Sequence, residues 1–242
     1  PVVVSLPAMQ SSVRRRVPNR VPTLPCASRD RRSGGWGLLI GLLLGLAAGG
    51  AAARSPLEPV TPEMPAIRTA DFAVTPPSGE HWVYFQRAVP GYVTFRKQDP
   101  LKRQLPGGEH LAFVLEIRAG SFPTHDLTTQ AGLEEALKAA LHESPGADDS
   151  RGMLRTASFV WQDTDCLSYV TAREEPATLD GAQIVLAWAA EGFFCRHPAN
   201  PSVAVIGQFQ ERHLAGTPER LDGVLRDDAQ QTLQSVRFLP AR

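Results

Sequence analysis

The segment 193–202, "FFCRHPANPS", sets a cysteine two residues before a histidine and follows them with two prolines flanking Ala199 and Asn200. Three chemistries fit such a stretch: half of a metal site, a catalytic thiol, or one end of a disulfide. A zinc site needs a second pair at ligand spacing. Histidines 81, 110, 125, 142 and 213 are scattered and supply none. A Cys–His catalytic pair needs a free, activated thiol in an electropositive pocket. Cys195 and His197 share a face of an extended strand, so contact between them is allowed, with His213 a further candidate partner. A disulfide needs an even cysteine count in an oxidising compartment. Which chemistry applies therefore depends on which side of a membrane this segment occupies.

The chain of 242 residues balances 25 basic against 25 acidic residues, but unevenly. Residues 1–53 hold seven arginines and one acid, Asp30. Setting these aside leaves 18 basic and 24 acidic residues over 54–242, a net of −6. An acidic body lacks the basic face that attracts phosphate, which excludes a nucleic-acid partner. Residues 36–53, "WGLLIGLLLGLAAGGAAA", follow the arginines without a charge and end on small residues, with Ala51 and Ala53 as the cleavage region. Basic flank, apolar middle and small-residue end form the pattern of a secretory signal. An uncleaved inner-membrane anchor is the competing reading, since about 18 apolar residues can just cross a bilayer. Both readings export everything after Ala53 and confine membrane contact to the N-terminal segment. The cysteine that would carry a lipid is missing after "LAAGG", so no lipid anchor is expected, and Cys26 would be lost on cleavage.

The exported body keeps two cysteines, Cys166 and Cys195. Between them lies "TLDGAQ", whose Asp180-Gly181 pair signals a two-residue hairpin turn. Such a turn makes opposing residue numbers sum to 361, as do 166 and 195. Thirteen steps from the hydrogen-bonded pair 179–182 is a non-hydrogen-bonded pair, with Cα atoms about 4.5 Å apart and inside disulfide range. Pro176 must then lie at an edge or a bulge. A bulge would shift the sum by one.

Residues 54–68 hold four prolines without periodicity and read as a linker. Strands are expected at 71–75, 82–87, 91–98, 109–120, 153–162, 165–174, 182–195 and 202–212. Leu133, Leu137 and Leu141 predict a first helix, capped by Asp126 or Thr128. Thr217 and Pro218 open a second, with an apolar stripe through Leu221, Val224, Leu225, Ala229, Leu233 and Val236. The order predicts a single exported α+β domain over 69–242: a largely antiparallel sheet of about six to eight strands with two main helices packed on it. "LEIRAGSF" and "FQERHL" read as solvated strand edges, and His197 as a surface or strand-end histidine.

"DFAVTPPSGEHWVYF" resembles the entry to the PsbP-like fold of extrinsic photosystem proteins, through Phe72, Val74, Pro77, Gly79 and Trp82. That resemblance implies an antiparallel sheet flanked by helices. "GFFCRHPANPSVAVIGQFQERH" resembles a G-x-x-C-x-H-P segment of uncharacterised bacterial envelope proteins, through Gly192, Cys195, His197, Pro198 and Pro201. Neither resemblance implies an activity. Hydrolase, zinc-protease, phosphate-loop and dinucleotide motifs are missing from the chain. The expectation is an exported cell-envelope accessory or binding module with an unidentified envelope partner or ligand. No catalytic residue, metal or cofactor is expected. The alternatives are an enzyme or metal protein using Cys195, His197 and His213, and a small apolar ligand carrier lined by Trp82, Trp161 and Trp188.

Overall fold

The structure, a computed structural model, describes residues 57–85, 90–98, 108–142, 153–179, 181–217 and 224–240. The apolar segment with Ala51 and Ala53, together with Asp180 and Pro218, lies outside them. Among the described residues, no helix is long and apolar enough to cross a membrane.

Among the described residues, eleven strands and two α-helices follow in chain order. Leu57–Pro59 (β1), Ile67–Arg68 (β2), Phe72–Val74 (β3), Trp82–Phe85 (β4), Tyr92–Lys97 (β5) and Ala112–Ser121 (β6) precede the helix Gln130–His142 (α1). Met153–Trp161 (β7), Thr164–Leu179 (β8), Ala182–His197 (β9) and Asn200–Leu214 (β10) precede the helix Val224–Gln234 (α2) and the short strand Arg237–Phe238 (β11). Eight strands form one sheet in the order β1-β4-β5-β6-β10-β9-β8-β7, and β11-β3-β2 form a second, smaller sheet. Every neighbouring pair is antiparallel. The expected antiparallel sheet with two helices is present, but strands dominate it: the helices span only 13 and 11 residues.

The segment read as a linker contributes β1 and β2. Pro59 is tolerated because β1 is an edge strand, where a missing amide costs no ladder bond. β6 is not an edge. It runs between β5 and β10, and its Glu116–Arg118 pair is largely covered.

β7 to β10 form a meander joined by two-residue turns. The β8–β9 ladder pairs Leu179 with Ala182 and continues unbroken to Cys166 and Cys195. Gly181 takes the positive φ of 82° that such a turn demands. Pro176 faces Val185 in a pair that points backbone groups outward, and β7 has already ended opposite Ala172. Its absent N–H therefore breaks no hydrogen bond, and no bulge is needed. At the β7–β8 turn, Gln162 and Asp163 both carry positive φ without being glycine. Gln162 offsets that strain by donating to the Val236 carbonyl at 2.8 Å and accepting from the Phe238 amide at 3.3 Å.

α1 starts later than its expected caps. The Thr129 hydroxyl accepts from the Gly132 amide at 3.1 Å, while the Asp126 carboxylate accepts from the amide and hydroxyl of Thr128 one turn earlier. Those two bonds hold the Asp126 carboxyl below its ordinary range. A Cβ on residue 132 would strike the Asp126 carbonyl, so only glycine lets the turn fold beneath the helix.

The core has two parts, one on each face of the large sheet. On one face α2 and the small sheet bury Phe72, Phe95, Leu115, Ile117, Phe193, Phe209 and Leu233 with the cysteine pair. On the other, α1 lays Leu133, Ala136, Leu137, Ala140 and Leu141 over Leu167, Tyr169, Phe194 and Ile206. Cys166 and Cys195 are bonded with Cα atoms 4.1 Å apart, in the non-hydrogen-bonded pair the register requires. Closing 29 residues of chain constrains the unfolded state by about 3–4 kcal/mol in the chain-entropy picture. The double variant Cys166→Ala/Cys195→Ala should lose about that much unfolding free energy in a denaturant titration. An unmoved midpoint would contradict it.

Candidate functional site

The chemistry-bearing stretch at the end of β9 is built as structure. Cys195 is fully buried and its sulfur is committed to Cys166. His197 ends the strand, as expected, but is 1% exposed rather than on the surface. Its Nδ1 accepts the amide of Ala199 at 3.2 Å, across the Pro198–Ala199 turn. That leaves Nε2 to carry the proton, which it donates to the Asp71 carbonyl at 3.1 Å. The ring also meets Phe238 edge-on. His197 thus closes the turn into β10 and ties it to the small sheet. Past the turn the register shifts between Asn200 and Ala204, and Pro201 occupies that irregularity, where proline is tolerated.

His213 does not join Cys195. It pairs across the ladder with Ala187, eight residues from Cys195 along β9, or about 27 Å of strand. There it is buried, with Nδ1 3.1 Å from Glu211 Oε1. "FQERHL" is therefore not a solvated edge: Glu211 is inaccessible and β10 runs between β6 and β9. Among the described residues no three His, Cys, Asp or Glu side chains gather at metal-binding spacing.

The tryptophans also separate. Trp82 and Trp161 pack on the α2 face, where Trp82 Nε1 donates to Asp228 at 3.4 Å. Trp188 is on the α1 face and lines an open cavity of about 340 Å³ with Leu57, Phe85, Thr94, Arg96, Ala112, Val114, Gln210 and Arg212. Ligand pockets begin at about this size. Among the described residues, α1 covers only one end of this face, and the cavity lies beyond it. The C-terminal turn of α1 is held where Arg118 donates to the Ala140 carbonyl at 2.7 Å. Beyond Glu116 the β6 residues Val114 and Ala112 line the cavity instead of meeting the helix.

Polar contacts separate the covered core from the cavity. Tyr169 donates to Gln208 Oε1 at 2.6 Å. Burial, then the Glu116 carboxylate, pushes the Tyr169 hydroxyl well above its ordinary range, so it stays a neutral donor. Trp188 Nε1 donates to Gln210 Oε1 at 2.8 Å, which orients that amide and leaves its –NH₂ as the free end. Arg173 stacks on the Trp188 ring at 4.2 Å and pairs with Glu175. Thr94 lines the cavity, and its hydroxyl is buried without a hydrogen-bond partner among the described residues. Of this lining, the sequence points only to Trp188. The lining comes from six strands between residues 57 and 212, and only the sheet order brings them together.

No family model and no curated protein matches the chain. Among solved structures there is a loose likeness to LpqN of Mycobacterium tuberculosis, a protein involved in cell envelope biogenesis. It covers 76% of this chain and 91% of that one, at 12% identity and a TM-score of 0.38. A likeness of that order transfers neither fold detail nor function.

His197 gives a direct check on the structural account of the "RHPANP" turn. His197→Ala would remove the acceptor of the Ala199 amide and one of the two donors to the Asp71 carbonyl, which the Leu239 amide still serves at 2.8 Å. Thermal unfolding should report a loss of about 1 kcal/mol. A variant as stable as the parent would mean that the histidine holds nothing.

Proposed function

We propose that the chain is an exported accessory module of the cell envelope that acts by binding rather than by catalysis. The observation that carries this reading is the Cys166–Cys195 bond buried at the heart of the sheet. It is at home in an oxidising compartment, as the arginine-flanked apolar segment 36–53 also implies. It removes both thiols of the exported body from nucleophilic and metal chemistry. The neighbouring imidazole is spent on two backbone bonds. The G-x-x-C-x-H-P resemblance to bacterial envelope proteins points the same way.

A ligand-carrier version of this reading has a specific observation in its favour, the open cavity beside Trp188. One tryptophan lines it rather than three, so the carrier differs from the sequence expectation in its walls.

Purified protein is expected to turn over none of a broad panel of ester, amide, glycoside and phosphate substrates. Turnover that disappears in Cys195→Ser would overturn the reading and restore the thiol as a nucleophile.

A further inference from the structure

Among the described residues, the lining of the cavity on the α1 face supplies hydrogen-bond donors and no carboxylate. Arg96 on β5 and Arg212 on β10 both line it, both are exposed, and neither makes an ion pair among the described residues. β6 runs between their strands. Arg96 faces Val114, which faces Gln210, and Arg212 is two residues farther along β10. Two interstrand spacings and one two-residue step set their Cα atoms about 12 Å apart. Flexible arginine side chains can converge on one group from that separation. Gln210 turns its –NH₂ toward the same space, because Trp188 holds its oxygen. The nearest acid along the ladder, Glu116 opposite Thr94, is neutralised by Arg118 at 3.4 Å.

Thr94 also lines the cavity and is 5% exposed, with its hydroxyl buried and unpartnered among the described residues. The rest of the lining is apolar: Leu57 and Phe85 beyond Thr94 at one end, Ala112 and Val114 along β6, and Trp188 at the far side.

Resting on the binding-module reading above, we infer that this cavity binds a carboxylate-headed amphiphile. The anionic head is received by Arg96, Arg212 and Gln210 over Val114, and the hydrocarbon body lies toward Phe85 and Leu57. Guanidinium groups suit the planar, two-oxygen head, and charge-assisted bonds of that kind are the strong ones. The apolar walls remove the chain from water. Arg173, stacked on Trp188 from the β8 side, fixes the wall against which the ligand packs.

Calorimetric titration of the full chain with octanoate, octan-1-ol and acetate tests each half of the assignment. Octanoate should bind, and more tightly than either fragment of its chemistry. Arg96→Gln/Arg212→Gln should weaken octanoate at least about tenfold and leave octan-1-ol unchanged. Both arginines are exposed, so unfolding should be unaffected. Equal affinity for octanoate and octan-1-ol, or a double variant that binds octanoate like the parent, overturns the head-group assignment. Acetate binding as tightly as octanoate overturns the apolar half. Absence of binding by any of the three overturns the inference alone, because the module reading is judged separately by the turnover panel.

Discussion

The unbroken register between β8 and β9 is the constraint on which the rest of the structure depends. A strand alternates its side chains between faces, so one residue gained or lost in that hairpin would exchange its two surfaces. With Leu179 opposite Ala182, Cys166 meets Cys195 on the α2 face, beside Phe193 and under Leu233. The same parity sends Leu167, Tyr169 and Phe194 to the α1 face. It also places Trp188 on that face, where Arg173 and Gln210 hold it from the strands on either side. The disulfide fixes this phase covalently at the end of the hairpin remote from its turn. The neighbouring β9–β10 ladder is constrained in its own way by close backbone approach, since a Cβ on Gly192 would strike the Gly207 carbonyl.

The two faces then diverge. The α2 face is closed by a helix and a second sheet, with Asp228 of α2 set against Lys97 and Trp82, and Arg226 against Glu191 at 2.9 Å. His197 and Gln162 stitch two meander turns to the small-sheet layer. Among the described residues, the α1 face has one helix of 13 residues on a far wider sheet. It is sealed where the helix lies and open beyond Glu116 and Gln208.

Much of this was legible in the chain itself. The hairpin and its disulfide follow from "DG" and a sum of residue numbers. The sheet follows from alternating strands, and α1 from leucines four apart. What was not legible depends on neighbours distant in sequence. "LEIRAGSF" and "FQERHL" carry charges that look solvated, yet sheet order makes both strands central and pairs Glu116 with Arg118 and Glu211 with His213. His197 reads as a surface or strand-end histidine; it does end the strand, but Asp71 and Phe238, from opposite ends of the body, close over it. Thr129 rather than Asp126 or Thr128 caps α1, because Gly132 admits the preceding turn beneath the helix. The cavity has no local signature, since alternating polar and apolar residues on six strands read separately as half-buried surfaces.

The central claim, that this body is an exported domain locked by one buried disulfide, is tested most directly by intact mass. Protein recovered from the cell-envelope fraction would be weighed with and without reductant. The account predicts that the body from about residue 54 onward occurs outside the cytosol and gains the mass of two hydrogens on reduction. Protein found only in the cytosol, with an unchanged mass on reduction and both Cys166 and Cys195 open to alkylation, would contradict it.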